Sequence, residues 1–217
     1  MSWTNVRQAK RSNASNVKEA YNEWSQKLRT SNCKLCPLSE GRRTIVAGRG
    51  NPETDVVFIG DAPDEKADEI GQAFVGNTGV VLHKQLAEIS IDTRTTTLLT
   101  TVVRCLPPMD RTPKPAEIKA CAPYLEEQLN IVKPKIVVLF GAIAVKGFTG
   151  RALPLQGFAG KIFDASEFPE VKERYPFLKA VMVAYHPSFL LRDPTKTPEA
   201  LKGWQTLRRW LEEHKNG

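Results

Sequence analysis

Four short apolar runs constrain the fold of this chain more than any other feature. They are DVVFIG at 55–60, TLLTTVV at 97–103, KIVVLFG at 135–141 and AVMVAYH at 180–186. None alternates polar with apolar residues, which is the mark of strands buried on both faces. Helical patterns lie between them at 78–90, 115–132 and 141–149. A further helix is expected at 16–30, with Tyr21, Trp24 and Leu28 on one face, and another at 197–214. In the last, Leu201, Trp204, Leu207 and Leu211 recur at helical spacing, the pattern of core packing. Strands alternating with helices predict an α/β fold of three layers, a central, mainly parallel, four-stranded sheet with helices on both faces. The 217 residues suffice for one large core. We expect an N-terminal arm and helix at 1–32 and a single domain at 33–217.

In open parallel sheets ligands gather at the carboxyl ends of the strands. The first strand runs into GDAPDEKADEIGQAFVG (60–76), the second ends around Thr101 to Cys105, and the fourth in YHPSFLLRDP (185–194). Gly60 and Pro63 predict a tight turn that leaves Asp61 and backbone N–H groups facing a ligand. Phe74 sits in a glycine-flanked loop, and His186 precedes a proline. Taken singly, each has an ordinary explanation: Asp61 as a helix cap, Phe74 as core, His186 as a satisfied turn residue. Their shared place at strand ends is what makes them a candidate site.

The four cysteines are Cys33, Cys36, Cys105 and Cys121. Cys33 and Cys36 have chelating spacing, Cys105 ends a strand, and Cys121 lies in a helix able to return to the same place. One close pair plus two distant single cysteines suits an iron–sulfur cluster. Zinc, which more often takes two close pairs, and unrelated thiols stay open at this point. No apolar run reaches the roughly eighteen residues of a membrane span, and the start of the chain lacks the pattern of a secretory signal. A cytoplasmic protein is expected, cellular or virus-encoded. The balance of 31 Lys+Arg against 24 Asp+Glu, a formal +7, favours a polyanionic partner whose binding weakens steeply with salt. Arg42, Arg43, Arg49, Lys84, Arg104, Arg111 and Arg192 are the candidate contacts.

Several blocks, in order, resemble the family 4 uracil-DNA glycosylases, the iron–sulfur branch of the uracil-DNA glycosylase superfamily. CKLCPLSEGRR leads into VAGRGNP; GDAPD and GQAFVG follow; then come VVRCLPP and the helix with Cys121, and finally His186-Pro187-Ser188 with Leu191 and Arg192. The resemblance runs from about Cys33 to Trp210. It implies a 4Fe-4S cluster on Cys33, Cys36, Cys105 and Cys121, DNA as partner, and a base flipped from the helix and cut from its sugar. It also implies roles: Asp61 and His186 catalytic, Ala62, Phe74 and Thr101 around the base, and Pro187, Ser188 and Arg192 on the DNA backbone. A monomer that works beside replication or repair proteins is expected.

The chain departs from that pattern at four places. Asp61 stands where the family has glutamate, Asp64 where it has glycine, and Ala73 where it has proline. Thr101 stands where the family has an asparagine whose carboxamide reads uracil with one donor and one acceptor. A single hydroxyl does not reproduce that pair. Alternatives therefore remain: a DNA-binding relative with little or no catalysis serving as a module for DNA-processing partners, or an electron-transfer protein needing only the cluster.

Overall fold

The computed structural model describes residues 3–215, and side chains from Asn16 onward. Its elements are α1 (Trp3–Thr30), β1 (Arg49–Gly50), β2 (Val56–Gly60), α2 (Glu65–Ile70), α3 (Asn77–Ala87), β3 (Leu98–Thr101), α4 (Pro115–Val132), β4 (Ile136–Phe140), α5 (Gly141–Thr149), β5 (Ile162–Asp164), α6 (Pro169–Arg174), β6 (Ala180–Ala184), α7 (Pro187–Arg192) and α8 (Thr197–Glu213). Every residue of β2, β3, β4 and β6 is buried. These are the four apolar runs, and they pair in parallel as β3-β2-β4-β6.

The sheet is larger than expected by two short edges. β1 lies antiparallel against β3 and β5 antiparallel against β6, giving the order β1-β3-β2-β4-β6-β5. Alternate residues of each strand feed opposite layers. Val57, Ile59, Leu98, Val137, Leu139, Val181 and Val183 meet Tyr21, Trp24 and Leu28 of α1, Leu125 and Leu129 of α4, and Val145 and Phe148 of α5. Phe58, Leu99, Val138, Phe140 and Met182 meet Leu82 and Leu86 of α3 and Trp204 and Leu207 of α8. This is the three-layer arrangement the alternation predicts. Among the described residues no helix is long and apolar enough to cross a membrane.

The topology fixes the place of the site. The chain leaves β2 toward β3 on one side, then crosses back to β4 on the other, so the order reverses at β2. Parallel strands bring their carboxyl ends to one edge, and a reversal opens a crevice there.

Candidate active site

A cavity of about 280 Å³ opens at that edge, lined by Asp61, Ala62, Pro63, Asp64, Phe74, Thr78, Thr101, Pro107, Asp110, Arg111, His186, Ser188 and Arg192. Three parallel strands deliver its chemistry. Asp61 follows β2, Thr101 ends β3 with Gly60 as its register partner, and His186 stands two residues beyond β6 as the N-cap of α7. Of the residues expected at the site, Pro187 alone does not line the cavity. It is buried as the first residue of α7, where a fixed φ and a missing N–H suit a helix start.

The α7 start orients the imidazole. The Ser188 backbone N–H donates to His186 Nδ1 at 3.2 Å, and the Ser188 hydroxyl lies 2.8 Å from the same atom. Because a backbone N–H can only donate, Nδ1 is the acceptor and the neutral ring carries its proton on Nε2. Nε2 faces the cavity, 3.4 Å from Asp61 Oδ1. Burial pushes the His186 pKa below 6.5, Arg192 adds to that, and Asp61 and Asp64 oppose it. The neutral ring is the form held at neutral pH. Ser188 thus turns its N–H and hydroxyl toward the imidazole.

Phe74 provides a buried aromatic surface, its ring 6.0 Å from that of His186 and 5.6 Å from that of Phe140. It adopts φ +56°, a left-handed conformation unfavourable to a bulky side chain. Arg49 holds it there: Nε donates to the Ala73 carbonyl at 2.6 Å and Nη2 to the Phe74 carbonyl at 2.7 Å. Gly60 makes room for the ring, since a Cβ at this position would come 2.7 Å from Phe74 Cζ.

Thr101 is buried, and its hydroxyl donates to the Val103 carbonyl at 2.6 Å. Only oxygen lone pairs are left for a ligand. Asp64 is engaged as well: Oδ1 caps α2 by accepting from Ala67 N–H at 2.8 Å, and Oδ2 lies 3.4 Å from the Thr78 hydroxyl. Asp64 thus serves the helix start, where a carboxylate meets unpaired N–H groups.

Two candidate DNA contacts are corrected. Arg49 spends its guanidinium on the Phe74 loop. Arg104 is 1% exposed; it bonds Gln128 Oε1 at 2.7 Å and the Thr100 hydroxyl, and lies over the Trp24 ring. Buried in the interior, it offers nothing to DNA. Arg111 lines the cavity, but Glu117 grips it at 2.6 and 2.9 Å. The sequence reading overlooked Thr78, Pro107 and Asp110; the paired prolines that follow Cys105 were the available signal for the last two.

All four cysteines line a second, narrow pocket of about 20 Å³ with Arg42, Arg104 and Tyr124. The Arg104 backbone N–H lies 3.3 Å from Cys121 Sγ, and Arg42 Nη1 3.7 Å from Cys105 Sγ. Burial pushes the Cys105 thiol up to about 11, with Arg42 opposing. Among the described residues no three His, Cys, Asp or Glu side chains converge to hold a single metal ion. The thiols share one pocket without meeting at a point. Among the described residues Arg104 Nε has no partner, leaving a buried cation in want of negative charge beside these sulfurs.

The profile of the uracil DNA glycosylase superfamily matches residues 47–211. The chain belongs to the uracil-DNA glycosylase superfamily. Within the superfamily its similarity falls on the type-4 branch. It is 36% identical to a type-4 uracil-DNA glycosylase of Thermotoga maritima, over 76% of this chain and 81% of that one. It is 35% identical to one from Sulfurisphaera tokodaii, over 75% and 72%, and 34% identical to one from Pyrobaculum aerophilum, over 79% and 85%. Membership in this superfamily agrees with a fold that sets its polar residues at one end of a parallel sheet.

Proposed function

We propose that the protein is a DNA glycosylase that flips uracil, or a pyrimidine modified at position five, out of DNA and hydrolyses its N-glycosidic bond. The observation that carries this reading is the meeting of Asp61, Phe74, Thr101 and His186, brought from three strand ends, around one cavity. At about 280 Å³ the cavity has room for a single base. The flipped base stacks on Phe74, as bases extruded for chemistry stack on aromatic walls. As the C1′–N1 bond breaks, N1 keeps the bonding pair and charge spreads to the base oxygens, where the His186 Nε2–H donates. Asp61 orients water whose oxygen bonds to C1′, and a water proton balances the departing base.

The four cysteines are read as ligands of one 4Fe-4S cluster. Their shared pocket, the N–H groups directed at sulfur and the uncompensated Arg104 support this. A cubane takes one thiolate on each of four irons, so it is served by a wider ring of sulfurs than a single zinc ion. When bound, the cluster would supply negative charge and tie the 33–36 loop to the segment that follows β3 and to α4. The bond-breaking residues lie in the other cavity.

Strand cleavage of oligonucleotides carrying uracil, hydroxymethyluracil, hypoxanthine or normal bases tests the reading. The protein should release uracil or the five-substituted pyrimidine, and His186→Ala should abolish release while DNA affinity stays. Release should persist as the pH falls through 6.5, the ordinary histidine value, because His186 is held below it. Stability follows the same sign: the unfolded chain takes up the proton first, so the contribution is complete above that pH and is lost as the pH falls toward the lowered value. Tight DNA binding with no base released from any substrate would favour a binding module instead.

A further inference from the structure

The charge around the cavity is poorly matched to a base that leaves as an anion. Asp61, Asp64 and Asp110 line it, with Arg111 and Arg192 as its cations. Glu117 grips Arg111 at 2.6 and 2.9 Å, so three carboxylates face one remaining cation, and the neutral His186 ring offsets none of them. Burial, and after it the charges of Asp64 and Glu65, raise the Asp110 carboxyl above its ordinary range. The aspartates are not set out as metal ligands: among the described residues no three His, Cys, Asp or Glu side chains converge on one point. Negative charge held beside a base opposes the build-up of more negative charge on it.

Hydrogen bonding gives a second, independent indication. Thr101 is 2% exposed, and with its proton committed to the Val103 carbonyl at 2.6 Å it presents lone pairs alone. Asp64 Oδ2 lies 3.4 Å from the Thr78 hydroxyl, and Asp61 Oδ1 accepts from the Ala62 N–H at 2.9 Å. A carboxylate can only accept, so Thr101 and the aspartates together offer acceptors to a base edge. Uracil answers with one N–H between two carbonyls. A base with an exocyclic amine answers with donors.

We propose that the cavity also takes pyrimidines that are cationic and carry an exocyclic amine, N3-alkylated cytosine being the simplest, and releases them as neutral bases. The inference rests on the glycosylase reading of this cavity and adds a second class of substrate to it. The amine donates to the Thr101 hydroxyl, the N3 alkyl group takes the space left by a side chain shorter than asparagine, and the delocalised charge lies over the Phe74 ring. His186 Nε2–H meets O2, which this base shares with uracil. When the C1′–N1 bond breaks, N1 keeps the bonding pair and cancels the positive charge of the ring. Water oriented by Asp61 then bonds through its oxygen to C1′ and gives one proton to solvent. No anion forms in the acidic cavity.

The test uses single-stranded oligonucleotides carrying 3-methylcytosine, 3-methyluracil or uracil, reads strand cleavage, and compares the unaltered protein with Asp64→Asn. 3-Methyluracil has the same outline without the charge or the amine, and should be released more slowly than 3-methylcytosine. Asp64→Asn should lower 3-methylcytosine release about tenfold, a small share of what one preorganised electrostatic contact contributes, and should raise uracil release. Asparagine also caps helices, so the melting temperature should hold. Fluorescence anisotropy on His186→Ala should show tighter binding of the 3-methylcytosine strand than of the 3-methyluracil strand, a difference lost when Asp64→Asn is added. Release of uracil without 3-methylcytosine, or equal release of the two methylated bases, overturns the inference and leaves the uracil reading standing. An equal fall for uracil and 3-methylcytosine in Asp64→Asn overturns it too, because Asp64 then acts as a helix cap alone. Release of 3-methylcytosine without uracil supports it and shows that uracil is not the substrate. If no base is released, the affinities decide, and equal binding of the two methylated strands overturns it.

Discussion

On the proposed reading, base selection turns on Thr101. Its hydroxyl donates to the Val103 carbonyl, so toward a base it can accept from N3–H of uracil but has no proton for O4. A site that misses one edge contact loses discrimination as well as rate, and a side chain smaller than asparagine leaves space that a five-substituted pyrimidine can use. Thr101→Asn should raise uracil release about tenfold if one restored contact contributes roughly 1.4 kcal/mol at the transition state. It should also lower stability by about 1 kcal/mol, because the Val103 carbonyl loses its donor. Release assays and thermal melts on the same two proteins read both effects. Uracil release that is strong in the unaltered protein and unchanged or weaker in Thr101→Asn would mean that another residue reads the base. The sequence made Thr101 conspicuous through its place in the family pattern, but the direction of its hydroxyl depends on the turn after β3 and is visible only in the structure.

At the scale of elements, the strands that carry the site were legible because burial on both faces leaves an unbroken apolar run. β1 and β5 were not, since two or three edge residues make no pattern. The cavity-forming loop 71–76 was recognisable as a glycine-flanked phenylalanine; the device that holds it was not. Arg49 looked like a surface cation, and composition does not separate a charge that meets DNA from one that spends its donors on two carbonyls. That difference predicts an outcome. Arg49→Ala frees the Ala73 and Phe74 carbonyls, lets Phe74 leave its left-handed conformation and loosens the surface proposed to stack the base. Uracil release should drop about tenfold, in keeping with a misplaced positioning group, with DNA affinity and its salt slope little changed. A shallower salt slope in Arg49→Ala would show that Arg49 neutralises a phosphate after all.

At the scale of the whole molecule, Arg104 joins the parts. Through Gln128 it reaches Tyr21 of α1 and the Ala47 carbonyl, through Thr100 it reaches β3, and its own N–H meets Cys121. The sequence offered it as one more basic residue before a cysteine, because long-range burial has no local signature. A guanidinium without a carboxylate in the interior is a liability unless other negative charge lies close by. A cluster held by four thiolates, as proposed above, would supply that charge, and this predicts a reversal of sign. In protein stripped of iron by a chelator, Arg104→Met should raise stability, by about 1 to 4 kcal/mol, the range for replacing buried ionic groups with apolar ones. Gln128 Oε1 keeps its bond from the Thr100 hydroxyl, 2.9 Å away, so the exchange leaves no new buried acceptor bare. In protein purified anaerobically with iron and sulfide in place, the same change should lower iron retained per chain and the melting temperature. Iron analysis, absorbance and paired melts of the loaded and stripped forms measure it. The same sign of stability change in both forms would mean that Arg104 answers to the packing of Trp24 and Gln128 alone, and that the charge beside the cysteines is not what keeps it buried.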